Sequence, residues 1–143
     1  MSFTPIQRRF SLCIVLGGLA AALCITLASR GQAELASVHN PIFWAIVSDR
    51  LLIGMVVALA GAYTVHPLLG FSYPPLLRGA CMGALVSLPL AAGGLASPAS
   101  ADLTPWLIFW ATLLSGAFYG AIIDWLATRF GGEGMALFSP GAR

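Results

Sequence analysis

Four apolar runs, at about 10–29, 41–65, 76–96 and 104–128, cover most of this chain. Each reaches the roughly 20 residues that a helix needs to cross the hydrocarbon of a bilayer. Lipid offers no hydrogen-bond partners, so a segment entering it must satisfy its own backbone, and a helix does that within one run. The expected fold is therefore all-α: a bundle of four transmembrane helices over residues 1–130, followed by a flexible cytoplasmic tail over 131–143. Composition agrees. Of 143 residues, 59% are hydrophobic and 8% charged, against roughly 25% charged in a soluble domain. One small core could not hide so much apolar surface. The lipid bilayer is therefore the chain's expected surroundings, and the net charge of +2 is small and implies no nucleic-acid partner.

Arg8 and Arg9 precede the first run, and "GQA" ends at Ala33, which gives the start some look of a signal peptide. A run of about 20 residues exceeds the usual signal core of about 7–15, so a true span is expected. Orientation follows from the basic residues, all of which are arginine. With the N-terminus inside, Arg8, Arg9, Arg78, Arg129 and Arg143 fall in the cytoplasm and Arg30 outside, as the positive-inside rule prefers. Glu34 and Asp102 then face out. The expected location is a bacterial inner membrane, with both termini cytoplasmic. Trp44, Trp106 and Trp110 fall near the outer interface, and Tyr63, Tyr73 and Trp125 near the inner one.

Local signals mark the boundaries. Asn40 before Pro41 and Thr104 before Pro105 are N-caps followed by proline at the first helical position. The loop "HPLLGFSYPPLLRG" is rich in proline and apolar enough to lie on the membrane surface. Pro89 removes a backbone donor inside the third run, so a kink is expected there, with Ser87 helping to satisfy the freed carbonyls. The tail is glycine-rich, with 135–138 as a docking patch.

"IFWA" occurs at 42–45 and again at 108–111, an offset of 66, and the same offset relates Gly17 to Gly83 and Gly54 to Gly120. This raises a reading as two parallel two-helix repeats, set against two helix starts that use tryptophan independently.

The second run carries Asp49 and Arg50 side by side. Arg50 lies nine residues past Pro41, about 13 Å deep and close to the midplane. Facing lipid there would cost roughly 3 kcal/mol, so it should face protein or water. Arg50, Gly54, Ala58 and Gly61 share one smooth helix face. Gly116, Gly120 and Asp124 do the same in the fourth run, and Gly79 and Gly83 open the third. Small faces let helices approach closely, so helices 2 and 4 are expected to meet along theirs, with helix 3 nearby. Asp124 lies about 12 Å deeper than Arg50 in parallel register, so these two should not pair; Arg78 or Arg129 is the expected partner of Asp124. Asp49 and Arg50 point about 100° apart, so Asp49 is expected to meet another helix or subunit instead of its neighbour.

Two readings follow. Asp49, Arg50 and Asp124 could line a route for an ion or small solute in a small oligomeric channel or transporter. Alternatively they are clips that set helix register in a non-catalytic assembly or accessory subunit, self-associating or built into a larger membrane complex. Three charges at scattered depths form no coordination site, and the second reading is preferred. Cys13, Cys24 and Cys81 lie in apolar runs without metal-ligand spacing and read as packing residues. His39 and His66 sit at opposite ends of the second helix and cannot together ligate a haem, which leaves ligation of a haem or chlorophyll by a single histidine as the minor alternative. No cofactor, metal or enzymatic activity is expected.

"DRLLIG", "RGACMGALVSLPLA" and "GAFYGAIIDW" resemble a group of small four-helix bacterial membrane proteins. Their pattern is an Asn-Arg-x-x-x-Gly segment, a Gly-x-x-x-Gly helix ending in Ser-x-Pro, and a last helix with glycine and an acid. The likeness covers residues 41 to 125, with Asp49 in place of the asparagine. The group has no assigned function, so the resemblance implies the four-helix fold alone.

Overall fold

The computed structural model describes residues 4–66, 68–97 and 103–138. Asp102 and Arg143, both used in the charge argument, lie outside the described residues. The protein is all-helical, with α1 (Pro5–Ala28), α2 (Pro41–Ala60), α3 (Pro75–Gly94) and α4 (Pro105–Gly131), all four long and apolar enough to cross a membrane. It is a multi-pass membrane protein by that architecture.

Each helix begins on proline at its first position, where the missing N–H costs nothing. Asn40 and Thr104 cap α2 and α4 through their side chains, accepting from the Ile42 and Leu107 amides. α1 starts earlier than its apolar run. Thr4 and Gln7 form a reciprocal capping box around Pro5, a signature present in the sequence as Thr-Pro-Ile-Gln. This five-residue extension brings Arg8 and Arg9 into the helix. α3 runs unbroken through Pro89, and the Ser87 hydroxyl turns away from the freed carbonyls to donate to Asp49.

α1 packs on α2 and α4, α3 packs on α4 and α2, and α2 touches α4 across the bundle; α1 and α3 do not reach each other among the described residues. The interior is small and the exterior large. Cys13, Ile53, Val57, Ala58, Ile123 and Ala127 form the core, while Leu19, Leu59, Leu85, Leu114 and Phe118 point outward. That inversion suits a solvent of acyl chains, in which tight packing of small residues drives helix association and burial of large ones does not.

The small faces meet differently from the expectation. α2 turns its Gly54 to α1, not to α4: a Cβ there would run into the Cys13 backbone. A Cβ on Gly17 would lie 2.7 Å from the Arg50 carbonyl oxygen. The glycines of α4 meet α3, where a Cβ on Gly79 would lie 2.8 Å from the Gly120 carbonyl carbon and one on Gly83 the same distance from that of Gly116. These contacts obey the offset seen in the sequence. Cys13–Gly54 corresponds to Gly79–Gly120, and Gly17–Arg50 to Gly83–Gly116, each residue displaced by 66. The offset thus relates two hairpins built on the same pair of close approaches, α1 with α2 and α3 with α4.

The connections are ordered where described. Between α2 and α3, the Val65–Ser72 bridge makes a short hairpin, tied by His66 and Phe71 backbones and by the His66 Nδ1, which accepts from the Leu68 and Leu69 amides. After α4, residues expected in a flexible tail instead turn back as a 3₁₀ segment, Gly134–Phe138. Its Gly134 amide donates to the Gly61 carbonyl, and Leu137 is buried against the bundle. The chain can reverse there because Gly132 and Gly134 take positive φ, open to glycine without strain.

Candidate functional site

Two buried polar clusters lie in the bundle, one at mid-depth and one toward the end where α1 begins and α4 ends. The first contains the residues on which the sequence drew attention. Arg50 and Asp49 are 4% and 6% exposed and, against expectation, pair with each other: Arg50 NH1 donates to Asp49 Oδ2 at 2.8 Å. The long arginine stem allows its head to curl back across the 100° between adjacent helical positions, and burial makes that contact preferable to solvent that is not there. Asp49 also accepts from Ser87 of α3 at 3.0 Å, so the expectation of a contact to another helix holds alongside the neighbour pair. The remaining donors of Arg50 reach Ser87 at 3.2 Å, Ser115 of α4 at 2.7 Å and the Cys24 sulfur of α1 at 3.3 Å. Its guanidinium lies 5.1 Å from the Tyr119 ring centroid, within cation–π range. One side chain thus touches all three other helices. Room for this comes from glycine: a Cβ on Gly116 would lie 2.6 Å from the Ser87 Cβ.

Asp124 belongs to the second cluster and does not meet Arg50. Arg78 grips it with a two-pronged contact, Nε to Oδ2 at 2.7 Å and NH2 to Oδ1 at 3.1 Å, the fork geometry that suits guanidinium to carboxylate. The other expected partner, Arg129, is exposed on α4. Its place is taken by Arg9, which also bonds Asp124 Oδ1. Arg9 is wholly buried. Its Nε and NH2 donate to the Ala58 and Val57 carbonyls at 3.2 Å, and its NH1 donates to Thr128 Oγ1 at 3.1 Å and to the Gly132 carbonyl at 2.8 Å. The two α2 carbonyls are at the helix's last turn, where no amide of the helix reaches every acceptor. Arg78 further bonds the Tyr63 carbonyl, Thr128 and Glu133.

Glycines again supply the space. Gly61 faces the Arg9 guanidinium, Gly131 the Arg9 Cα, and Gly79 the Asp124 Cβ at 2.7 Å from where its own Cβ would stand. Of the small residues expected at helix contacts, Ala58 serves the core and accepts from Arg9, whereas Gly54, Gly61, Gly79, Gly83, Gly116 and Gly120 are the positions where any side chain would collide. In the sequence Arg9 stands out only as a topology signal. It could have been found: with α1 starting at Pro5, Arg9, Cys13 and Gly17 fall at steps of four on one face, together with Cys24 a further seven on. Ser115, Thr128 and Glu133 carry no comparable pattern.

Both clusters balance their charge. Asp49 offsets Arg50, and Asp124 with Glu133 offsets Arg9 with Arg78. Among the described residues no buried side-chain nitrogen or oxygen lacks a hydrogen-bond partner, and no three His, Cys, Asp or Glu residues gather at one point. Comparison with protein families, curated proteins and solved structures finds no match to this chain.

Proposed function

We propose that this chain is a non-catalytic membrane subunit, a pre-fastened four-helix unit that assembles with copies of itself or with other membrane chains through its outer surface. The observation that supports this most is the closure of both polar clusters. Each is electrically neutral, each is satisfied within one subunit, and together they bind all four helices into a fixed register. A solute pathway needs polar groups left free to exchange partners with its cargo; here Asp49, Arg50 and Asp124 are already committed. Such clusters act as clips, whose use in setting register is the best-attested role of buried charge.

The proposed setting is a bacterial inner membrane with both termini cytoplasmic. Arg8, Arg9, Arg78 and Arg129 all belong to one end of the bundle and Arg30 to the other, the asymmetry that retains positive charge inside. A fluorescent reporter that matures only in the cytoplasm should fluoresce when fused after Arg143, and a disulfide-dependent phosphatase fused there should stay inactive; phosphatase activity would overturn the orientation.

Arg50→Met combined with Asp49→Asn separates the clip from the conduit. Removing both charges takes away their desolvation cost. Ser87 keeps an acceptor in the amide oxygen that replaces the carboxylate, and Ser115 keeps the Thr112 carbonyl. The double variant should match wild-type stability to within about 1 kcal/mol, whereas Arg50→Met alone, which strands Asp49, should lose about 3–5 kcal/mol. In mild detergent the double variant should keep the assembly size and partners of wild type, and vesicles of either should pass no current. A wild-type current that the double variant abolishes would refute the subunit reading, as would a wild type that is monomeric and partner-free.

A further inference from the structure

The end of the bundle where α1 begins and α4 ends has an unbalanced surface. Its described acids, Asp124 and Glu133, are both engaged by the buried Arg9 and Arg78. Arg8 and Arg129 are exposed and have no carboxylate partner among the described residues. Arg8 heads a groove of about 390 Å³ between α1 and the end of α4, bordered by Ser11, Leu12, Val15 and Phe130. From Arg8 to Val15 the groove follows α1 for about 10 Å.

We propose that this groove binds an anionic phospholipid, its headgroup phosphate on Arg8 and one acyl chain laid along Leu12 and Val15 against Phe130. The parts match in order. Arg8 lies three residues into the helix, at the level where a spanning helix passes the headgroups, and a guanidinium there can pair a phosphate in two-pronged fashion. Below it the walls turn apolar toward the membrane interior, as an acyl chain does. A free phosphate would use the cation and leave the groove unfilled; an uncharged lipid would fill the groove and leave the cation unpaired. Arg129, next to Phe130 in sequence, adds a second positive charge at the same level without bordering the groove.

The test is native mass spectrometry of the full chain released from detergent containing equal phosphatidylglycerol and phosphatidylcholine. Wild type should retain phosphatidylglycerol in preference. Arg8→Gln should reduce that preference about fivefold, the effect of one basic side chain near an anionic headgroup, and Val15→Trp should cut retention of the lipid by blocking the chain's path. Arg129→Gln should weaken the preference less than Arg8→Gln. Both arginines are exposed, so melting temperatures in detergent should stay at the wild-type value. The proposal is overturned if wild type shows no preference, if Arg8→Gln retains it in full, if Arg129→Gln has the larger effect, or if inorganic phosphate alone stabilises the protein as much as phosphatidylglycerol does.

Discussion

Arg9→Ala should destabilise the bundle severely, while Arg8→Ala, one position away, should leave its stability almost unchanged. Arg9 donates to α2 carbonyls, to Asp124 and Thr128 of α4 and to Gly132 beyond it. Deleting it removes one cation from a buried, charge-balanced network and takes from the Ala58 and Gly132 carbonyls the guanidinium that bonds them, although Asp124 and Thr128 keep Arg78. Removing one partner of a buried charge network costs about 3–5 kcal/mol, a large share of the roughly 5–15 kcal/mol that holds an ordinary domain together. Arg8 is exposed, and truncating it should move stability by no more than about 0.5 kcal/mol. Arg9→Lys should fall between, because one ammonium has three donors and lacks the planar fork that reaches Val57, Ala58 and Asp124 together. Thermal unfolding of the three variants in mild detergent measures this. Equal melting points for the Arg8 and Arg9 variants would remove Arg9 from its place at the centre of the fold.

Gly120→Ala should be the second severe change. A Cβ at Gly120 would lie 2.9 Å from the Gly83 Cα and would also meet the Gly79 carbonyl. Both obstacles are backbone, so the helices themselves must separate. Overpacking of this kind costs about 1–3 kcal/mol for a small addition and more for a large one, so Gly120→Leu should prevent assembly of the hairpin. The disturbance also reaches Asp124, because Gly79 faces it as well as Gly120. Gly54→Leu should act alike on the α1–α2 hairpin, where it faces Cys13. Gly93 provides the contrast: a Cβ there meets nothing within 4 Å, so Gly93→Ala should be neutral or stabilising by up to about 1 kcal/mol through helix propensity. Similar losses at Gly93 and Gly120 would mean that close helix approach is not what these glycines provide.

The sequence by itself determined the four helices, because long apolar runs can exist in lipid only in that form, and it determined where two of them begin, because Asn40 and Thr104 are N-caps followed by Pro41 and Pro105 at the first helical position. It also marked which positions must be small, and at what spacing. It could not say which small face meets which. Helical periodicity locates a face on its own helix and carries no information about the neighbour, so it pairs Gly54 with α4 as readily as with α1, to which the fold turns it. The clearest case is Arg8 and Arg9. Adjacent and chemically identical, they count equally toward topology, and composition has no means to separate them. Only the extension of α1 back to Pro5, and the clearing left by Gly61 and Gly131, point one into the protein and the other toward the membrane surface. The same holds for Asp49 and Arg50, whose pairing depends on Ser87, Ser115 and Cys24 arriving from three other helices. Charge in a membrane interior is permitted only where partners converge, and convergence is a property of the assembled bundle.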